Sequence, residues 1–187
     1  MPVELEYKYL IDKDEVQYDV LIEKLISMGI SYRVLNISQG YLPKAGRLRK
    51  ITETGPSGSM SQKFIFTYKH KLSFQPGDLE IETEISEDDF CLGSSDCSFN
   101  IDKTRVVFNH GPYTWEVDFF NDRSSTNGHY LVLVECEVQD GVQPDLHFLP
   151  EYLMGGLQYR VPLGDSRFSN KNLSFIENAK NLYEICR

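Results

Sequence analysis

No stretch of the chain approaches the eighteen or so consecutive apolar residues of a membrane-spanning helix. The opening Met-Pro-Val-Glu-Leu-Glu has neither the basic nor the apolar region of a secretory leader, so a cytoplasmic protein without a membrane partner is expected. Positive charge is scarce: 19 Lys and Arg stand against 28 Asp and Glu, a formal net charge of −9. That balance excludes the broad basic face on which duplex nucleic acid or an anionic bilayer would bind. An anionic ligand must instead be held by a local basic cluster. Cysteine and histidine are equally thin. Cys91, Cys97, Cys136 and Cys186 form no CxxC pair and His70, His110, His129 and His147 lie far apart, which excludes a structural zinc site. In a cytoplasmic chain Cys91 and Cys97 are expected to be reduced. There is no internal repeat, coiled coil or low-complexity tract.

What is present suits one globular domain spanning 1–187, since 41% of the residues are hydrophobic and 12% aromatic. Apolar and polar residues alternate over 3–11, 62–68, 79–85, 114–120 and 131–138, the period of a strand. Runs rich in β-branched or aromatic residues at 32–42, 46–51 and 101–108 bring the expected strands to eight. One long helix is predicted after the first strand, with Asp12 as N-cap, Glu15 three residues on, an apolar stripe of Val16, Val20, Leu21, Leu25 and Met28, and a stop at Gly29. Shorter helices are predicted at 87–92, 146–154 and 173–185, and Thr54–Ser61 reads as a mobile hairpin connection. One early helix followed by consecutive strands favours an antiparallel sheet. Eight strands can close into a barrel lined by every second side chain, so the expected fold is α+β, an eight-stranded antiparallel closed β-barrel with flanking helices.

The charged residues recur two apart on strand after strand. Glu4, Glu6 and Lys8 share one face of the first strand, opposite Val3, Leu5, Tyr7 and Tyr9. Arg47 and Arg49, Lys69, then Glu80, Glu82 and Glu84, Lys103 and Arg105, Glu116 and Asp118, and Glu135 and Glu137 repeat the spacing. A solvated outer face tolerates Thr, Ser, Gln and Asn; these positions are almost uniformly ionised, and the signs segregate by strand. Like charges so placed repel unless something supplies a counter-charge. Divalent cations on the carboxylates and a polyphosphate on the basic residues would do so. Paired carboxylates suit Mg2+ or Mn2+, and Arg and Lys suit phosphate. The aromatic residues Tyr7, Tyr9, Phe64, Phe66 and Phe119 fall on the opposite face and are expected in the core rather than in a base-stacking platform.

Glu4-Leu5-Glu6-Tyr7-Lys8 resembles the N-terminal ExExK signature of the CYTH superfamily, the triphosphate tunnel metalloenzymes. Gln39-Gly40-Tyr41-Leu42, Arg47-Leu48-Arg49, Thr67 to Lys71, Glu80 to Ile85, Lys103-Thr104-Arg105, Trp115 to Asp118, Glu135-Cys136-Glu137 and Arg167 to Lys171 follow in the family's order. The resemblance implies a tunnel open at both ends that binds triphosphate along a basic wall and metal along an acidic one. It assigns Glu4, Glu6, Glu82, Glu135 and Glu137 to Mg2+ or Mn2+, and Lys8, Arg47, Arg49, Lys69, Lys103 and Arg105 to phosphate. Glu80, Glu84 and Asp118 are candidates either for metal or for orienting a basic residue. Lys171 is a further candidate, and Glu116 is either a site residue or a structural charge. The implied chemistry is in-line attack of water on a terminal phosphorus, with Lys69 and Glu82 as catalytic candidates, Lys69 either transferring a proton or binding phosphate. The short hairpin around Tyr41 and Arg47 resembles the inorganic triphosphatase branch, and the cyclase-like His-x-Ala-Arg-Ile-Arg pattern is absent. The expected activity is therefore hydrolysis of tripolyphosphate or a nucleoside triphosphate. The alternatives are a class IV-type adenylyl cyclase and a non-catalytic binder of a phosphorylated nucleotide. Oligomeric state is not legible.

Overall fold

The computed structural model describes residues 5–43, 46–55, 58–71, 78–122, 128–138 and 142–186, without the side chains of 5, 69–71, 78, 79 and 99. All eight anticipated strands form: β1 (Leu5–Ile11), β2 (Tyr32–Tyr41), β3 (Arg47–Thr54), β4 (Met60–Lys71), β5 (Asp78–Glu84), β6 (Phe99–His110), β7 (Tyr113–Asn121) and β8 (His129–Val138). A ninth, β9 (Leu157–Val161), was not anticipated, because Leu-Gln-Tyr-Arg-Val is short and directly follows Gly155-Gly156. The strands make one antiparallel sheet in the order β5-β4-β3-β2-β6-β7-β8-β1-β9.

The closed barrel does not form. Its two ends would have to meet, but β9 takes the outer edge of β1 from Lys8 to Ile11, and β5 is hydrogen-bonded to β4 alone. Glu80, Glu82 and Glu84 on one face of the β5 edge also oppose further strand pairing, as charged edges generally do. The sheet is open, yet it curls: Tyr41 on β2 lies within electrostatic reach of Lys8 on β1 and Glu135 on β8.

Helices cover the sheet according to their apolar faces. Helix α1 (Tyr18–Ser27) buries Leu21 and Leu25 against Tyr7, Tyr9, Ile11, Trp115, Val117 and Phe119 of the uncharged sheet face. Each such fully buried side chain contributes roughly 1.5–3 kcal/mol. Helix α1 starts five residues later than the Asp12 cap predicts. The Asp12 carboxylate instead accepts from Asp14 N at 2.9 Å, forming a local turn, and the helix begins after Gln17, whose N–H donates to the Tyr152 hydroxyl at 2.5 Å. Gly29 ends it as expected, at φ 66°, with Ile30 N donating to Leu25 O at 2.9 Å. Helix α2 (Glu87–Ser94) is capped by Ser86, whose hydroxyl accepts from Asp89 N at 3.1 Å. Beyond a 3-10 turn at Leu146–Phe148 come α3 (Glu151–Gly155), α4 (Asn170–Leu173) and α5 (Ile176–Ile185). The hairpin between β3 and β4 is closed by Gly55 N donating to Ser59 O at 2.7 Å. All four cysteines are free. Among the described residues no helix is long and apolar enough to cross a membrane.

The charged face changes character at one end. Leu10, Ile101, Phe120, Leu131, Leu133 and Val161 cluster there with Leu173, Ala179 and Leu182 of α4 and α5. Tyr183 ties that cover down, its hydroxyl donating to Ile11 O at 2.8 Å and accepting from Val132 N at 3.1 Å. Access from both ends, as the family resemblance implies, is therefore not what the described residues present.

Gly40 marks where β2 packs most tightly: an added Cβ would meet Cys97 Sγ at 2.6 Å and Asn100 Oδ1 at 2.8 Å. Gly40→Ala should destabilise the fold by about 1–3 kcal/mol, the usual cost of overpacking, seen as a lower urea midpoint; an unchanged midpoint would show that the β2–β6 junction gives way freely.

Candidate functional site

Residues directly opposite each other in an antiparallel pair project from the same face. Followed across the sheet, the register joins Glu6 to Glu137, Lys8 to Glu135, Glu135 to Glu116, Asp118 to Arg105, Gln39 to Arg49, Tyr41 to Arg47, Arg47 to Thr67, and Thr67 to Glu82. Ile37 on β2 opposes Lys103, and Leu35 opposes Arg105, which connects the two halves. The alternating charges therefore occupy one face of the sheet. Tyr7, Tyr9 and Phe119 are buried on the other, as their phase requires, whereas Phe64 is half-buried against Phe90 of α2 at a ring separation of 5.3 Å.

Along the sheet the basic strands β3 and β6 lie on either side of β2, with acidic β5 beyond β4 on one flank and acidic β7 and β8 beyond β6 on the other. In the half formed by β1, β6, β7 and β8, Lys8 bonds to Glu135 and lies 2.7 Å from Glu6. Arg105 grips Asp118 with two donors, Nε at 2.6 Å and Nη2 at 2.7 Å, reaches Glu135 at 2.7 Å, and also pairs with Glu116. Lys103 bonds to Asp118 and sits 5.4 Å from the centre of the Phe120 ring. Burial is deep: Lys103, Asp118 and Glu135 are each no more than 2% exposed. Burial alone would raise the Glu135 pKa, but Lys8, Arg105 and Lys103 outweigh it and hold the carboxyl well below its usual range. The Lys8 ammonium is opposed by burial, yet Glu135 and Glu6 raise its pKa above the ordinary value. For Lys103, burial and then the Arg105 charge lower the pKa against the pull of Asp118.

In the half formed by β2 to β5, Arg47 Nη2 lies 2.9 Å from Glu80 and 3.7 Å from Glu82. Arg49 pairs with Glu82 and donates to Thr67 Oγ1 at 3.2 Å, and Thr67 in turn donates to Glu82 at 3.0 Å. Burial and then the neighbouring Arg47 lower the Arg49 pKa. Both Nε–H groups, of Arg47 and of Arg49, are buried without an acceptor among the described residues. Tyr41, its pKa pushed up to about 12 mainly by burial, accepts from Gln39 Nε2 at 3.0 Å.

The structure thus brings Glu6, Lys8, Arg47, Arg49, Glu80, Glu82, Lys103, Arg105, Glu116, Asp118, Glu135 and Glu137 to one face. Glu84 shares it at the β5 end, opposite Ile65, and is exposed. Lys69 opposes Glu80 in register, its side chain outside the described residues, and Glu4 lies outside them entirely. Lys171 is exposed on α4, part of the apolar cover, and Arg167 before it pairs with Asp165 at 2.6 Å. Gln39 and Thr67, buried on the charged face, carry no charge and so escaped a pattern read from ionised residues; their even spacing with Tyr41 and Lys69 was the available signal. Among the described residues no three His, Cys, Asp or Glu side chains are grouped to hold a metal ion.

A groove of about 1680 Å3 lies elsewhere, beside the start of α1, and is lined by Lys13, Tyr18, Tyr32, Asn36 and His129 among others. It contains none of the charged lattice. Groove volume measures open space, and side chains that are paired with one another leave little of it, so chemistry rather than volume locates the site.

No family model matches the chain, and no curated protein matches it. Among solved structures it is similar to the PH1819 protein of Pyrococcus horikoshii OT3, at 18% identity and TM-score 0.46, over 81% of this chain and 85% of that one. It is also similar to HpAC1 of Hippeastrum, described as a putative adenylyl cyclase with a dominant triphosphatase activity, at 15% identity and TM-score 0.45, over 90% and 93%. A chain of the Schizosaccharomyces pombe Mediator head module scores 0.45 at 7% identity, over 81% and 90%. With every score below one half, the likenesses assign no chemistry to this chain.

Glu135 has a depressed folded pKa, so its contribution to stability is complete above the unfolded value of about 4.5 and disappears as pH falls below it. Glu135→Gln should cost about 3–5 kcal/mol at neutral pH, because Lys8 and Arg105 lose a buried counter-charge. The variant's stability should also fall less steeply on acidification than the wild type's. Parallel pH slopes in chemical denaturation would contradict the pairing.

Proposed function

We propose that the charged face binds the phosphates of a triphosphate and, with Mg2+ or Mn2+, hydrolyses its terminal anhydride. The observation that carries this reading is the pair of buried Nε–H donors on Arg47 and Arg49. A buried donor without an acceptor is costly, and two guanidiniums presenting such donors side by side fit an anion with several oxygens. Lys8 and Arg105, across the curled sheet, supply further positive charge, as does the buried Lys103, and Lys69 would be a further phosphate contact. Thr67 and Tyr41 add hydroxyls that stay neutral.

The donor chemistry fits a hard divalent cation. Mg2+ keeps most of its waters and needs only one or two protein carboxylates when phosphate oxygens complete its shell, and Glu6 and Glu137 stand directly opposite each other at the exposed edge of the face. These two, with Glu4, would hold the ion; Glu135, committed to Lys8 and Arg105, would orient those cations instead. The bound cation would neutralise charge on the transferred phosphoryl group and lower the pKa of a bound water. The chain's own part is to align the phosphates on Arg47, Arg49 and Lys8 for in-line attack and to hold them there. Lys69, opposite Glu80 in register on β4, would bind a phosphate oxygen or transfer a proton.

Phosphate release should be measured in parallel with tripolyphosphate, ATP and thiamine triphosphate, in Mg2+ and in Mn2+, with analysis for cyclic AMP. Turnover of tripolyphosphate or ATP that stops on chelation is expected. Arg49→Ala should reduce kcat/KM by roughly tenfold to a hundredfold, the loss of charge-assisted bonds worth about 1.5–3 kcal/mol. Tight binding without turnover would make the protein a binder, cyclic AMP from ATP would make it a cyclase, and neither binding nor turnover would overturn the reading.

A further inference from the structure

The two halves of the charged face differ in a way that bears on how a polyanion enters. Asp118 and Glu135, the carboxylates that hold Arg105 and Lys8, are buried at 0% and 2% side-chain exposure on the central strands β7 and β8. Glu80 and Glu82, which hold Arg47 and Arg49, are 26% and 45% exposed, while the two arginines are 13% and 15% exposed. In each pair the carboxylate is the more exposed partner, by twofold to threefold. Those carboxylates also stand on β5, an edge strand hydrogen-bonded to β4 alone. Edge strands held on one side are where local opening concentrates. The grip is incomplete as well, since both Nε–H groups remain without acceptors.

Resting on the triphosphate reading above, we infer that Glu80 and Glu82 are built-in competitors of the substrate: they occupy Arg47 and Arg49 in the free protein, and a polyphosphate binds by displacing them. Anion and carboxylate need the same guanidinium donors, and both Arg47 and Arg49 already spend an Nη2 on the carboxylates. Asp118 and Glu135 play the opposite part. Removed from water and clamped by Arg105 and Lys8, they stay in place and hold the cations in position for the ligand. Neutralising a β5 carboxylate should therefore strengthen anion binding, whereas neutralising a buried one should weaken it.

Calorimetric titration of the wild type, Glu80→Gln, Glu82→Gln and Asp118→Asn with tripolyphosphate, in chelator and at low ionic strength, reads this directly. The β5 variants should bind roughly threefold to fivefold more tightly, the size expected for losing a partly exposed ion pair, and added salt should shrink the difference. Asp118→Asn should bind more weakly. Circular dichroism of each variant checks that it folds, and if Asp118→Asn does not, the two β5 variants decide alone. Unchanged or weaker binding by both β5 variants, with a wild type that binds, would show that these carboxylates orient the arginines and would overturn the inference. A wild type that binds no tripolyphosphate would overturn the triphosphate reading itself, and this inference with it.

Discussion

Placing the carboxylate of Glu135 inside the protein would be prohibitive without nearby positive charge, and three cations meet that need from two directions. Lys8 reaches it from β1, and Arg105 and Lys103 act on it from β6, two strands away. Because removing one member of such a set leaves an uncompensated buried charge, the arrangement behaves as a unit. It fastens β1, β8, β7 and β6 by their side chains as well as their backbones. The same demand explains why Asp118 is held twice, by Arg105 and Lys103. The central strands can carry charge on one face only because the charges are matched within that face.

From this constraint the rest of the architecture follows. The uncharged face is free to bury Trp115, Val117 and Phe119 under α1, and the charged face is sealed at one end where Leu10, Ile101 and Leu133 replace the ionised residues beneath α4 and α5. Toward β5 the matching loosens. Arg47 and Arg49 meet partly exposed carboxylates and keep donors to spare. A site needs that imbalance: fully satisfied groups hold a fold together, and only incompletely satisfied ones have something left for a ligand.

Much of this was legible in the sequence because strands have a period of two. Glu6 and Lys8, or Arg47 and Arg49, could be assigned to a common face before any coordinates, and the register agrees at every strand. Helix α1 ends at Gly29 as its chemistry requires, but its start was misread because Asp12 caps a turn as readily as a helix. Ring closure was misread for a different reason. Counting eight strands says nothing about which edge a ninth will occupy, and the five residues of β9 give too little alternation to be noticed. How the charged strands neighbour one another was not legible, because sequence order is not sheet order. β6 and β7, basic and acidic, are hairpin neighbours, and β1 returns from the start of the chain to lie beside β8. Gln39 and Thr67, though part of the motifs that carry the resemblance, received no site role since a neutral side chain leaves no mark in a pattern of charge.

The charged face, and not the groove beside α1, is where we place the meeting of phosphate and metal with the protein. A crystal structure with tripolyphosphate and Mn2+, the ion located by its anomalous scattering, tests this most directly. Phosphate oxygens are expected on the Nε–H groups of Arg47 and Arg49, and the manganese beside Glu6 and Glu137. Phosphate or manganese bound in the groove by Tyr18, Tyr32 and His129, with the charged face unchanged, would contradict that placement.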